Sequence, residues 1–218
     1  SRKAWLAELV LDFDSALSAA EKTTGGTADQ KWLKLAMYAE LAAKDPKPFY
    51  LEYLKGSKDE EKNAAIAAQL VREAKEPMKE LERSKAALLK RPNVLAELYM
   101  EILAKDFSPA VAKAALSIPA VAAAPGGKAI ARSLFLAEVA LLRSKVQPHK
   151  VDSSSQKKLA QSLKARVAML GDIEKAGTKA VTGGDWTSQL VILDLLAKES
   201  GRFYEEVLSL PVPQGLSG

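Results

Sequence analysis

The stretch "TADQKWLKLAMYAELAAK" at 27–44 decides the fold class. Thr27 stands three residues before Gln30, the spacing at which a cap hydroxyl accepts from a first-turn N–H and a glutamine side chain reaches back to the cap. After that start, Trp32, Leu35, Ala36 and Ala39 recur at steps of three and four, so they share one face of a helix. A strand would require alternation. The same signals recur along the chain. Ser57 with Glu60 repeats the capping spacing, and Asp45-Pro46, Glu76-Pro77, Arg91-Pro92 and Ser108-Pro109 each put proline where a first helical turn tolerates it. Leu159, Leu163, Val167 and Leu170 repeat the apolar period.

Composition agrees with that reading. The 218 residues include 37 Ala and 31 Leu against 19 Val plus Ile, with 6% aromatics, too few β-branched and aromatic side chains to cover a pleated sheet. With 48% hydrophobic and 27% charged residues the chain has the means to bury a core, which excludes intrinsic disorder. Its longest apolar runs, at 64–68 and 120–124, fall far short of the roughly 18 to 20 residues of a membrane-spanning helix. An all-α fold of about twelve helices is expected, over 2–22, 28–44, 47–55, 58–75, 77–90, 93–104, 109–117, 128–146, 154–170, 172–180, 186–199 and 201–210. Short helices on short linkers pack best as antiparallel neighbours, so the expected architecture is an irregular α-solenoid of stacked hairpins.

"QPHKVDS" at 147–153 interrupts the helical period with Pro148, the lone His149 and Val151. It is expected to separate a helical-repeat region, 1–146, from a C-terminal module, 147–218, within one continuous superhelix. A second break, "SIPAVAAAPGG" at 117–127, has room for one turn of helix. The chain opens at Ser1 without Met or an apolar leader, so it reads as a segment of a longer protein. The absence of cysteine removes thiol catalysis, zinc–thiolate sites and disulfides.

Comparison with the tetratricopeptide pattern gives a partial fit. Trp32, Leu35 and Ala36 occupy its first positions, but the aromatic position falls on Ala39, with Tyr38 one residue early and about 100° away. The second-helix positions fall on Pro48, Glu52 and Lys55, and no second copy aligns at a spacing of about 34 residues. The C-terminal part carries a different likeness. A basic amphipathic helix ends in Lys175 and Lys179, a turn follows at Gly183 and Gly184, and Asp185-Trp186 opens an apolar helix. Phe203, Glu206 and Leu208 come next, then the tail "PVPQGLS" at 211–217. Over 170–217 this resembles a module of tetratricopeptide-rich envelope proteins of predatory and gliding deltaproteobacteria, from which it departs at "LVILDLL" after Gln189. The resemblance implies a periplasmic or envelope-associated scaffold with no enzymatic activity.

No residue pattern announces a reaction. His149 is the only histidine and lies in a polar loop, where it reads as a solvated residue rather than a catalytic base. Neither H-E-x-x-H nor an EF-hand loop is present, and neither metal nor cofactor is expected. Asp59, Glu60 and Glu61 read as first-turn acids complementing a helix dipole, and Glu205 and Glu206 as a solvated face. The pairs at 25–26, 126–127 and 183–184 read as inter-helix turns supplying positive φ, because none continues into G-K-[ST]. The aromatic residues are mostly core by periodicity, Trp186 among them, which is expected to pack near Phe203 and Leu208.

Two features read as surfaces for partner proteins. Residues 128–179 hold 11 basic and 4 acidic groups, and within 143–166 Arg143, Lys145, Lys157, Lys158, Lys164 and Arg166 face only Asp152. "KPFYLEYL" at 47–54 crowds Phe49, Tyr50 and Tyr53 into one and a half turns, so at least one should be exposed, and Tyr50 and Tyr53 are candidate contacts. The function these features favour is a non-enzymatic scaffold for protein–protein interaction. The alternative is a basic module binding an acidic polymer or nucleic acid through 143–166. Nucleic acid is the weaker of these, because no recognition helix, aromatic interleaving or glycine clamp accompanies the charge. A helical enzyme would need one glutamate in a deep cleft.

Overall fold

A computed structural model describes residues 2–23 and 27–210. Among these, 81% are helical and none is in a strand. The described residues form twelve helices: α1 (Arg2–Leu9), α2 (Phe13–Glu21), α3 (Ala28–Leu41), α4 (Lys47–Gly56), α5 (Glu60–Glu73), α6 (Pro77–Leu88), α7 (Pro92–Lys105), α8 (Pro109–Leu116), α9 (Pro119–Ala123), α10 (Pro125–Val146), α11 (Gln156–Gly183) and α12 (Trp186–Leu208). No helix among the described residues is long and apolar enough to cross a membrane. The Gly25-Gly26 pair and the tail at 211–217 lie outside the described residues.

The chain forms two compact units that divide at 105/106. The joint expected at 147–153 therefore falls inside the second unit. Its cause is visible: α10, on one side of that loop, packs against both α11 and α12 on the other.

In the first unit each helix packs on the next in chain order, and α7 also returns to α5. Small residues permit the close approach: Ala16, Ala36, Ala39, Ala67 and Ala96 have no exposed surface. Leu17, Leu35 and Tyr38 form one core with Phe13, Trp32 and Phe49 at its edge, and Tyr53, Ile66 and Leu70 form another. The expected helix over 2–22 is broken by a turn that no glycine or proline announces. The Asp12 N–H donates to the Ala7 carbonyl at 2.9 Å and that of Leu11 to Glu8 at 3.1 Å, with Leu11 in the left-handed region at φ 59°. This is a Schellman ending with leucine where glycine is usual. Asp12 then caps α2 by accepting from the Ser15 N–H at 3.1 Å. Ala43 ends α3 in the same way at φ 55°. Thr27 caps α3 as expected. Asp59, not Ser57, caps α5.

In the second unit α10 contacts α8, α9, α11 and α12. Phe135, Val139 and Val146 of α10 meet Ile173, Ala176 and Ala180 of α11 and Ile192 and Leu195 of α12. The segment at 117–127 holds α9, one turn long. Gly127 is not in a turn but inside α10, where a Cβ would lie 1.9 Å from the Val121 carbonyl oxygen. It is glycine because the backbone of α9 passes there. Gly184, at φ 70°, does supply the left-handed cap that ends α11. Two expected helices run through Gly171 into one α11, and two run through Gly201 into one α12. Nothing lies within 4 Å of a Cβ built at either glycine, so neither is demanded by a close contact; Gly171 is half-buried and Gly201 exposed.

Candidate functional site

The residues singled out for partner contact separate by burial. Arg143, Lys145, Lys157, Lys158 and Lys164 are exposed, and Lys158 lies 3.8 Å from the Asp152 carboxylate. Arg166 does not belong with them: its side chain has no exposed surface. Tyr53 is also corrected, being buried against Ile66 and Leu70. Tyr50 is half-buried and donates to Glu40 Oε1 at 2.8 Å; burial, followed by Glu40, pushes its hydroxyl pKa up to about 12. Phe49 is half-buried too, so the aromatic cluster presents no fully exposed ring.

Arg166 sits in a charge-balanced cluster that ties three helices together. Its Nη1 donates to Glu199 Oε2 at 3.2 Å and its Nη2 to both Glu206 oxygens at 3.0 Å. The same guanidinium donates to the Val146 carbonyl at 3.4 Å and to that of His149 at 2.6 Å. Arg202 doubles the arrangement, donating to the Val146 carbonyl at 2.6 Å and that of Gln147 at 2.9 Å, with Glu199 Oε2 at 2.8 Å. The last carbonyls of α10 lack helical donors and carry the negative end of the helix dipole, and two guanidinium groups supply both needs. Glu206 also accepts from the Val151 N–H at 3.2 Å. It is therefore no solvated face, although Glu205 is exposed. His149 is half-buried rather than solvated; burial first and the Arg166 charge second lower its pKa from 6.5.

This cluster fixes the inner face of α12, on which Ser188, Ile192, Leu195 and Glu199 are buried. The opposite face is apolar as well. Trp186, Leu190, Leu193, Ala197, Gly201, Tyr204 and Leu208 fall within an arc of about 80° at about 100° per residue. All seven are exposed. Trp186 is 76% exposed and Leu190, Tyr204 and Leu208 are each about two-thirds exposed. Trp186 thus does not pack near Phe203: seventeen residues of unbroken helix place them about 25 Å apart along the axis. At on the order of 200 Å² per large side chain, the stripe exposes roughly 600 to 700 Å², more than the few hundred usual for a monomer's surface. Its start is anchored by Asp185, which accepts from the Ser188 N–H and hydroxyl and from Arg132 of α10. Those donors, Arg132 first, hold the Asp185 carboxyl far below its ordinary range.

Two buried glutamates remain to be placed. Glu80 lies 2.7 Å from Lys47 and 3.8 Å from Arg83, in a groove of about 740 Å³ between α4 and α6, and Glu199 lies between Arg166 and Arg202. Each faces two cations. No group of three or more His, Asp or Glu side chains among the described residues is placed to hold a metal ion. No protein family, curated protein or solved structure matches the chain.

Proposed function

We propose that this protein is a non-enzymatic helical scaffold whose outer α12 face docks protein. The observation that carries the reading is the unbroken apolar stripe along all 23 residues of α12, on a helix whose other face is already committed to its own core. A helix apolar on two faces belongs inside a structure, and covering this one requires a partner surface of the same length, about 34 Å. The chain-order packing of α1 to α7 supports reading the first unit as a short solenoid of hairpins. A place in the bacterial cell envelope is proposed on the resemblance of 170–217 alone.

The exposed cations favour a second, charged contribution. Arg143, Lys145, Lys157 and Lys164 form no ion pair among the described residues, and Lys157 and Lys164 share a face of α11. The test uses the full chain as bait beside a Leu190→Glu/Leu193→Glu variant and a Lys157→Glu/Lys158→Glu variant. The first variant is expected to lose the bound proteins with its far-UV circular dichroism unchanged, and the second to slow association at low salt. Capture that survives the α12 charges but is abolished by the lysine reversal or by physiological salt would overturn the α12 reading in favour of the basic stretch.

A further inference from the structure

We propose that the occupant of the α12 face is a second copy of the same chain, docked antiparallel about a two-fold axis at Ala197. This inference rests on the reading of α12 as a docking face and names its partner. The stripe is complementary to itself in that arrangement. Positions whose numbers are symmetric about 197 stand opposite one another: Trp186 of one copy faces Leu208 of the other, Leu190 faces Tyr204, Leu193 faces Gly201, and Ala197 faces Ala197. Large side chains meet at the ends. In the middle the leucine lies over the bare backbone of Gly201, where nothing lies within 4 Å of a built Cβ, so the axes can approach to about 9 to 10 Å, within the range of packed helix pairs. A parallel pair would instead set Trp186 against Trp186 and leave Gly201 opposite Gly201, a collision at one end and a void near the other.

The flanks agree with the same direction. Asp194 and Lys198, paired at 2.8 Å within one copy, lie on one edge of the stripe. In an antiparallel pair that edge faces itself, so Asp194 of each copy comes within about 3 Å along the axis of Lys198 of the other, and two ion pairs become a ring of four alternating charges. On the opposite edge Gln189, Leu196, Ser200 and Val207 carry no charge, so like charges are not opposed there. The area is sufficient as well: roughly 600 to 700 Å² from each copy reaches the lower end of stable, specific interfaces. An interface at the lower end of that size range is sought as a weak, reversible dimer in the micromolar range.

The absence of cysteine from the chain makes the geometry directly testable. Ala197→Cys in the full chain is expected to form a disulfide-linked dimer on mild oxidation, because with axes about 9 to 10 Å apart and a Cα radius of about 2.3 Å the facing Cα atoms lie about 4.4 to 5.4 Å apart, within the roughly 4.4 to 6.8 Å a disulfide spans. Trp186→Cys alone should not link to itself, whereas Leu193→Cys mixed with Gly201→Cys should link across the pair. Sedimentation velocity of the unmodified chain from about 1 to 500 µM should show reversible monomer–dimer exchange, and Ala197→Arg, at an exposed position, should raise the dissociation constant at least about tenfold. Trp186→Cys linking to itself as readily as Ala197→Cys would overturn the proposal, as would a monomer throughout that range, a dimer indifferent to Ala197→Arg, or open-ended assembly beyond a dimer. A monomer whose capture of a different protein is lost in Leu190→Glu/Leu193→Glu sinks the self-association alone. A monomer whose capture is untouched by those charges sinks the docking reading with it.

Discussion

Replacing Arg166 by methionine tests whether the cluster at the end of α10 holds the second unit together. The substitution keeps the aliphatic stem and its packing but removes donors that reach Glu199, Glu206 and the carbonyls of Val146 and His149. Breaking a buried ion pair by deleting one partner costs about 3 to 5 kcal/mol, because a charge remains without compensation. Here Arg202 stays within reach of Glu199 at 2.8 Å and Glu206 at 3.5 Å, so one cation serves two carboxylates, and the expected loss lies at the low end, about 3 kcal/mol. That is a large part of the roughly 5 to 15 kcal/mol by which a domain is stable. The assay is native-state hydrogen exchange on the full chain, which resolves the two units. Core amides of α11 and α12 should exchange on the order of a hundredfold faster, while those of α3 and α5 are unchanged. Adding Glu199→Gln should recover part of the loss, since one cation then meets one carboxylate. Arg166→Lys should not recover it, because one ammonium cannot span acceptors arranged for a planar fork. A loss below about 1 kcal/mol for Arg166→Met would refute the reasoning, since that is the size of a solvated surface pair.

Gly127→Ala should destabilise the second unit by at least about 1 to 3 kcal/mol, measured by urea unfolding, because its Cβ would meet the Val121 carbonyl and the α9 backbone must move. Trp186→Ala should leave the melting temperature of the monomer, measured at sub-micromolar concentration, nearly unchanged, within about 0.5 kcal/mol, because the indole is mostly in solvent there. His149 titrates below 6.5 in the folded chain, so the unfolded state binds the proton more readily: its stabilising contribution is complete above pH 6.5 and lost as pH falls through the folded value. As the only histidine it gives a single, unambiguous NMR titration, which should shift upward in Arg166→Met as the neighbouring positive charge is removed.

Helix identity was legible because it depends on local terms: the cap at Thr27, prolines at Pro77, Pro92 and Pro109, and apolar steps of three and four; at α5 the start was legible but its cap is Asp59 rather than Ser57. Helix length was less so. The breaks expected at Gly171 and Gly201 do not occur, since a helical glycine costs only about 1 kcal/mol and tertiary packing on α10 outweighs it. The break that does occur, at Leu11, carries no marker because a leucine adopts the left-handed φ that glycine usually supplies. The unit boundary at 105/106 was equally silent. It is set by which helices α10 packs against, and no composition shift records that.

The site was hidden for a related reason. A charge count places Arg166 with the exposed lysines around it, yet pairing depends on Glu199 and Glu206, 33 and 40 residues further on, which periodicity cannot connect. Once those two glutamates are assigned to the inner face, the rest of α12 follows. Glu199 and Glu206 are seven residues apart and share a side with Ile192 and Leu195, so Leu190, Leu193 and Leu208 must lie on the other. Had the glutamates been solvated, as their charge alone implies, the helix would turn by half a revolution. Trp186 and Leu190 would then be core, and Ile192 and Leu195 would be outside. The buried arginine and its two glutamates therefore mark, together with the packing of Ile192 and Leu195, which apolar face of the last helix the fold consumes and which it leaves exposed. Arg166→Met is accordingly expected to blur that assignment as well as to lower stability, and loss of cross-linking at Ala197→Cys in that background, with helix content retained, is the measurement that connects the two.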